Sequence, residues 1–172
     1  MKKRTTHSKY LFENSQLPKE YCPPIIIAYD IRTPENIGSI IRLADNIACK
    51  KVLFITEERQ LRESKIKKTA ASSYNSVNWS FCSHKVLENE IPEDYQLVAI
   101  ETASDSSNIY KTDLPQKIAF VVGNEINGID SEFLTKCHKI VHIPVYGKNT
   151  SLNVSHALAI SLFEWQKRIT GL

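Results

Sequence analysis

Short apolar runs alternate with segments of helical periodicity along most of the chain. Residues 25–31 (IIIAYDI) follow two prolines, and their length and β-branched content predict a buried strand. Pro34 and Glu35 then open a predicted helix, with Thr33 at its N-cap position. The same reasoning predicts further strands over residues 52–55, 77–81, 96–101, 117–122 and 139–143, and helices over residues 57–73, 84–90, 131–137 and 152–169.

Strands that are separated by helices predict an α/β fold with a mainly parallel sheet and helices on both of its faces. The length of 172 residues and the 42% of hydrophobic residues predict one globular domain, which we place at residues 23–172. Residues 1–22 are polar and aperiodic, and they predict a basic N-terminal arm or an irregular segment. No apolar run approaches the roughly 20 residues of a membrane span, so we expect no membrane partner.

The four cysteines are scattered, and no two of them have the close spacing of zinc ligands. This favours reduced thiols over a disulfide framework. The first ten residues are basic and lack the apolar stretch of a secretory signal. We therefore expect a cytoplasmic protein without a metal site.

Charge is divided unevenly between the two halves of the chain. Residues 1–86 carry 15 basic and 8 acidic side chains, whereas residues 87–172 carry 7 and 11. A basic half is typical of proteins that bind nucleic acid. Ordinary surface charge gives the same pattern, and by itself the asymmetry favours that plainer interpretation.

Three polar segments lie just past the ends of predicted strands, where ligands bind in sheets of this kind. In the first, residues 32–42, Asn36, Ser39 and Arg42 follow one another in steps of three, which predicts one polar strip on a helix. Gly38 in the same segment would permit close approach of a ligand. The alternative is a capped amphipathic helix with an exposed arginine.

The second and third segments also have a plain alternative. Residues 123–130 contain two glycines around Glu125, without the signature of a phosphate-binding loop, and an Asn-Gly turn explains part of them. In residues 144–155, Ser151 is expected to cap the last helix, with Asn153 in its first turn. Each segment alone is weak evidence for a site.

Taken in order and spacing, the three segments resemble the motifs of the SpoU/TrmH branch of the SPOUT RNA methyltransferases. They read NxGxxxR at residues 36–42, GNExxG at residues 123–128, and IP followed by SLNVS at residues 143–155. The resemblance covers about residues 25–168. The stretch Lys67-Lys68-Thr69-Ala70 also lies where members of the family carry a basic, RNA-facing segment.

The resemblance implies a reaction and a fold. Members of the family transfer a methyl group from S-adenosyl-L-methionine to a ribose 2′-hydroxyl of RNA. Their fold is a mainly parallel sheet whose C-terminal part forms a deep trefoil knot (SPOUT, α/β-knot) that holds the cofactor. They are homodimers, in which each active site is completed near the partner subunit.

The resemblance also implies site residues in this sequence. The expected catalytic residues are Arg42, Asn36, Glu125, Ser151 and Asn153. The expected cofactor-binding residues are Thr102, Gly123, Ile143 and Leu152, and the expected RNA-binding residues are Lys65, Lys67 and Lys68.

Chemistry favours one role for Arg42 over another. A guanidinium is so strongly basic that a role as general base is awkward, whereas its fork of N–H donors suits a phosphate or a developing alkoxide. A cationic sulfonium would favour a nearby carboxylate such as Glu125.

The substrate stays open at this point. Transfer RNA is expected ahead of ribosomal RNA, because little of the chain is left for a separate RNA-recognition domain. The alternatives are a ribosomal RNA 2′-O-methyltransferase, a non-catalytic RNA-binding protein on the same scaffold, and a base methyltransferase of the wider SPOUT group.

Overall fold

The computed structural model describes residues 16–56 and 61–171. Seven strands lie in this part of the chain: β1 (Ile25–Tyr29), β2 (Lys51–Ile55), β3 (Trp79–Cys82), β4 (Gln96–Ile100), β5 (Ser107–Asn108), β6 (Ile118–Val122) and β7 (Lys139–His142). The helices are α1 (Pro34–Asn46), α2 (Glu63–Ala70), α3 (Ser73–Ser76), α4 (His84–Glu90), α5 (Ser131–Leu134) and α6 (Val154–Thr170), with a 3-10 turn at Ile109–Lys111.

The strands form one sheet in the order β3-β2-β1-β6-β4-β7-β5, and every neighbouring pair is parallel. The predicted α/β fold with a parallel sheet is confirmed. The position of β7 is notable, because it lies between β4 and β5, which precede it and follow one another in the chain.

Alternate residues of the buried strands build two cores on opposite faces of the sheet. Ile26 and Ala28 of β1 face a core that α1, α2 and α6 cover, and Ile25 and Ile27 face a second core that α4 and α5 cover. The predicted stripe of α6, from Val154 to Trp165, is buried in the first core. Helices therefore lie on both faces, as the pattern predicts.

Short elements depart most from the sequence pattern. Strand β5 and helix α3 have two and four residues, which is too short for any periodicity to develop. Part of the helix expected over residues 57–73 falls at residues 57–60, outside the described residues. The remainder is divided at Ala71, whose φ of 54° ends α2.

The start of α6 corrects the expected cap. Asn153 has an extended backbone and is the N-cap, because its side-chain oxygen accepts a hydrogen bond from the Ser155 amide at 2.9 Å. Ser151 therefore does not cap the helix, and its hydroxyl instead donates to the Asn149 side chain at 3.3 Å. The sequence places three polar residues at alternate positions here, Ser151, Asn153 and Ser155, and only backbone geometry selects the one that caps.

The segment before β1 joins the packed domain. Tyr21 donates a hydrogen bond to the carbonyl of Ile47, and its ring meets Trp165 edge-on with centroids 5.6 Å apart. The expected N-terminal arm otherwise falls mainly at residues 1–15, which lie outside the described residues. None of the described helices combines the length and the hydropathy that crossing a membrane requires.

Candidate functional site

A cavity of about 510 Å³ opens at the carboxyl ends of β4, β6 and β7. This is the edge where parallel sheets bind ligands. Thr102, Gly123 and Ile143, the expected cofactor-binding residues that follow these three strands, all line it, as does Leu152. Three of the expected catalytic residues also line the cavity: Glu125, Ser151 and Asn153.

A chain of hydrogen bonds joins three segments that are far apart in sequence. The Asn153 side-chain amide donates to Oδ1 of Asn36 at 3.0 Å, and the Asn36 amide donates to Oε1 of Glu125 at 2.8 Å. Asn36 is buried, so both of its polar atoms are satisfied inside the protein. The chain fixes the loop after β6, the first turn of α1 and the start of α6 relative to one another.

Glu125 also holds the beginning of α1. Its carboxylate accepts hydrogen bonds from the backbone amides of Arg32 and Thr33, each at 3.2 Å. Thr33 lies at the N-cap position but makes no capping bond with its own side chain, and Glu125 instead holds the backbone of the two residues that lead into the helix. Partial burial raises the pKa of Glu125, but the hydrogen bonds outweigh it and lower the pKa from its ordinary value.

The loop after β6 is shaped by close backbone packing. A Cβ atom on Gly123 would lie 2.4 Å from the carbonyl carbon of Gly128, so no larger residue fits without a shift. Asn124, a residue that sequence analysis missed, is buried and accepts hydrogen bonds from the Ile126 and Asn127 amides at 2.8 and 2.9 Å. It is the acceptor around which the loop turns.

Glu101 is a second organising residue that sequence analysis missed. Its two carboxylate oxygens accept hydrogen bonds from the Thr102 amide at 2.9 Å and from the Ile129 amide at 3.1 Å. It thereby ties the end of β4 to the loop after β6 across the floor of the cavity. The available signal was a carboxylate at the end of a buried strand, directly before a residue expected to bind cofactor.

Arg42 stands apart from the other expected catalytic residues. It is exposed, does not line the cavity, and makes no hydrogen bond or ion pair within residues 16–56 and 61–171. The single polar strip predicted for Asn36, Ser39 and Arg42 is wrong, because Asn36 points into the protein and the Ser39 hydroxyl bonds back to the Glu35 carbonyl at 2.8 Å. Each step of three residues falls about 60° short of a full helical turn. After two such steps, Arg42 therefore lies on a different face of α1 from Asn36.

Gly38 serves helix packing in place of the expected ligand contact. A Cβ atom there would lie 2.6 Å from the Cβ of Thr69 and 2.7 Å from the carbonyl oxygen of Ile66. Glycine therefore lets α1 approach the backbone of α2 closely.

The expected RNA-binding lysines lie on α2. Lys65 pairs with Glu35 at 2.8 Å and Lys67 with Glu63 at 3.0 Å, while Lys68 has no such partner in the described part of the chain. Exposed pairs of this kind contribute little stability, so these lysines remain open to phosphate groups. No set of three or more His, Cys, Asp or Glu side chains in residues 16–56 and 61–171 is arranged to hold a metal ion.

Comparison with known families gives one match that covers most of the chain. The model of the family described as SpoU rRNA methylase matches residues 23–163. This range contains all three segments around the cavity.

Two relatives are named for different RNA substrates. The chain is 28% identical over 156 residues to a 23S rRNA (guanosine-2′-O-)-methyltransferase of Blochmanniella floridana, covering 90% of this chain and 61% of that protein. It is 29% identical over 150 residues to a tRNA (guanosine(18)-2′-O)-methyltransferase of Aquifex aeolicus, covering 84% and 69%. The chain thus spans about three fifths to two thirds of the length of these relatives.

Solved structures share the fold. The AdoMet-bound rRNA methyltransferase of Sinorhizobium meliloti superposes with a TM-score of 0.78 at 21% identity, over 86% of this chain and 57% of that one. A structure described as giving insight into 2-OH methylation of C/U34 on tRNA superposes with a TM-score of 0.77 at 20% identity, over 87% and 97%.

Proposed function

Because the chain belongs to the SpoU rRNA methylase family, we propose that it transfers a methyl group from S-adenosyl-L-methionine to a ribose 2′-hydroxyl of RNA. The observation that carries the proposal is the hydrogen-bonded chain of Glu125, Asn36 and Asn153 beside the cavity. Polar side chains are costly to desolvate, and here they join the three motif segments at one edge of the sheet. The names of the two relatives support the same reaction.

The cavity suits S-adenosyl-L-methionine in size and in chemistry. Its volume of about 510 Å³ lies within the roughly 300–1,000 Å³ usual for small-molecule sites. Apolar side chains of Ile100, Val122 and Leu152 offer contacts for the adenine ring, and the irregular backbone of residues 143–153 offers polar groups along one wall. The AdoMet-bound rRNA methyltransferase of Sinorhizobium meliloti, a structural neighbour, supports this choice of cofactor.

Positioning is the main task of the chain's own residues in this reaction. When bound, S-adenosyl-L-methionine supplies an electrophilic methyl group on a sulfonium, and holding a hydroxyl in line with such a group is worth roughly 7–11 kcal/mol in favourable cases. Glu125 already accepts three hydrogen bonds, from Asn36 and from the amides of Arg32 and Thr33. We therefore assign it to positioning Asn36 and α1, in place of pairing with the sulfonium.

Arg42 is assigned to the substrate. Its positive charge and its fork of N–H donors suit binding of the phosphate next to the reacting ribose and stabilisation of the developing alkoxide. It lies outside the cavity of its own chain, which supports a homodimer in which the partner subunit brings a second arginine of this kind to the site. Sedimentation equilibrium checks this: we expect twice the chain mass of 19.6 kDa, and a fully active monomer would contradict it.

Transfer RNA is the substrate that we propose first, with ribosomal RNA as the alternative. The support is that the chain covers 69% of the relative named for tRNA, against 61% of the relative named for 23S rRNA. Both RNAs enter the same methylation assay, so one experiment separates them.

We also propose that the C-terminal part of the chain is threaded into a trefoil knot. The support is the sheet order, in which β7 is inserted between two strands that precede it and are consecutive in the chain.

Calorimetry and turnover together test the proposed roles. Wild-type protein is expected to bind S-adenosyl-L-methionine, and Arg42→Ala is expected to bind it equally well while its turnover falls by about 100-fold or more. Arg42→Lys keeps the charge without the fork of donors, so it should recover only part of the activity. Absence of cofactor binding by the wild type would contradict the proposed function, and near-normal turnover by Arg42→Ala would remove Arg42 from the mechanism.

A further inference from the structure

Four aromatic rings form a continuous cluster at one edge of the sheet. The centroids of Trp79 and Phe81, both on β3, are 5.6 Å apart, and each ring also meets Phe54 of β2, at 6.0 and 5.6 Å. Tyr74 of α3 meets Trp79 at 5.1 Å. We call Tyr74, Trp79 and Phe81, together with the buried Phe54, the edge aromatic cluster.

The cluster reaches the surface at an uncovered edge. Strand β3 is the first strand of the sheet and pairs only with β2. Phe54 is buried, whereas the Phe81 side chain on the same sheet face is 42% exposed. Proteins normally protect an edge strand with charged side chains, but β3 reads Trp-Ser-Phe-Cys and carries none. Phe81 therefore presents a partly exposed ring on an uncharged edge strand, where a ligand can reach it.

A basic side chain lies directly against one ring of the cluster, and a second lysine follows it in the sequence. The ammonium group of Lys67 is 5.1 Å from the centroid of Tyr74, and Tyr74 in turn donates its hydroxyl proton to Glu63. Lys68, the next residue on α2, has no hydrogen bond or ion pair within the described residues. Aromatic rings and lysines on one surface are the combination by which proteins hold single-stranded nucleic acid.

We propose that the edge aromatic cluster is an RNA-contact surface, in which an unpaired base stacks on Phe81 while neighbouring phosphates meet Lys67 and Lys68. This inference rests on the proposed function, because it assumes that the substrate is RNA. Phe54 and Trp79 each contact the Phe81 ring, with centroids 5.6 Å away, and the Trp79 indole is itself fixed by donating to the Tyr74 carbonyl at 2.9 Å. The surface therefore presents a pre-arranged ring, so stacking costs little side-chain entropy.

The test compares two RNA probes of equal charge. One is an oligoadenylate of about 12 nucleotides, and the other is an abasic oligoribonucleotide of the same length. Wild-type protein should bind the base-bearing probe at least about fivefold more tightly. Phe81→Leu, which keeps an apolar side chain without a ring, should abolish that preference and leave binding of the abasic probe unchanged. Lys68→Gln should weaken the binding of both probes equally and reduce the salt dependence of binding.

Tyr110→Leu is the matched control. Tyr110 is an exposed aromatic residue in the turn that follows β5, at the opposite edge of the sheet. Its substitution should leave the binding of both probes unchanged. Fluorescence gives an independent measurement, because the chain has two tryptophans and Trp165 is fully buried. Quenching by the oligoadenylate should therefore come from Trp79 and should vanish in Trp79→Phe.

Cofactor binding separates the outcomes. If S-adenosyl-L-methionine binds and RNA is methylated, but Phe81→Leu keeps the full preference for the base-bearing probe, the stacking surface is wrong and the proposed function stands. If Phe81→Leu changes the sedimentation of the protein and not its RNA binding, the edge is a protein contact and the inference is overturned. If neither cofactor nor RNA binds, the proposed function itself fails.

Discussion

The Glu125 carboxylate accepts hydrogen bonds from the backbone of a distant segment, residues 32–33. Hydrogen bonds from the backbone amides of Arg32 and Thr33, just before α1, and from the Asn36 side chain lower its pKa in the folded protein, despite the opposing effect of partial burial. A lowered folded pKa means that the carboxylate stabilises the fold above its unfolded pKa of about 4.3. This stabilisation is lost as the pH falls through the folded pKa.

Glu125→Gln tests that linkage. We expect the variant to be roughly 1 kcal/mol less stable at pH 7, because a charged acceptor at the helix start is lost. The difference from wild type should shrink as the pH falls below about 4. Urea unfolding at several pH values measures both, with Glu93→Gln, an exposed carboxylate, as the control. If the unfolding free energies of wild type and Glu125→Gln differ by the same amount at every pH, the Glu125 charge does not support α1.

Asn153 has two functions that one substitution can separate. Its oxygen caps α6, and its amide donates to Asn36. Asn153→Asp keeps the capping oxygen but cannot donate, whereas Asn153→Ala loses both. We expect Asn153→Ala to lose about 1 kcal/mol of unfolding free energy and Asn153→Asp to keep most of it, while turnover falls in both. Thermal unfolding and methylation rates measure the two effects. Full activity in Asn153→Asp would show that the bond to Asn36 is dispensable.

For single residues, the sequence identifies the important positions more readily than it identifies their roles. Asn36, Glu125 and Asn153 are visible as motif residues, and the structure brings them into contact. Glu101 and Asn124 escape notice because their partners are backbone amides of a loop, and no side-chain pattern encodes such bonds.

Helices α1 and α2 pack against each other at Gly38. This contact holds α2, and therefore its lysines, in place near the edge aromatic cluster. A methyl group at Gly38 would meet Thr69 and the backbone of Ile66 at 2.6 and 2.7 Å. We expect Gly38→Ala to lower the unfolding free energy by about 1–3 kcal/mol, because the two helices must separate. Gly147→Ala is the matched control, since nothing lies within 4 Å of its added carbon. Equal melting temperatures for the two variants would contradict the close packing.

Long elements follow the sequence pattern and short ones do not. Strand β6 and the stripe of α6 are recognisable because many apolar residues repeat one period. Strand β5 has two residues and forms because it pairs with β7, which lies more than 30 residues away in the sequence. The start of α6 likewise depends on the conformation of Asn153, and the sequence offers three polar candidates for the cap.

For the whole molecule, the uneven charge acquires a structural meaning. The basic half of the chain contributes α2 and the edge aromatic cluster, whereas the acidic half contributes the strands that end at the cavity. The division is incomplete, because Asn36 and Arg42 belong to the basic half. The two surfaces are expected to act on one RNA, one holding it and the other presenting the cofactor.

Mapping the transferred methyl group tests this account most directly. Purified protein is incubated with radiolabelled S-adenosyl-L-methionine and unfractionated tRNA or rRNA, with Arg42→Ala as the inactive control. The RNA is then digested to nucleosides. We predict that the label appears in 2′-O-methylated nucleosides from wild-type reactions and is absent with Arg42→Ala. Label on a base, or none in either RNA while the cofactor still binds, would contradict ribose methylation as the function of this chain.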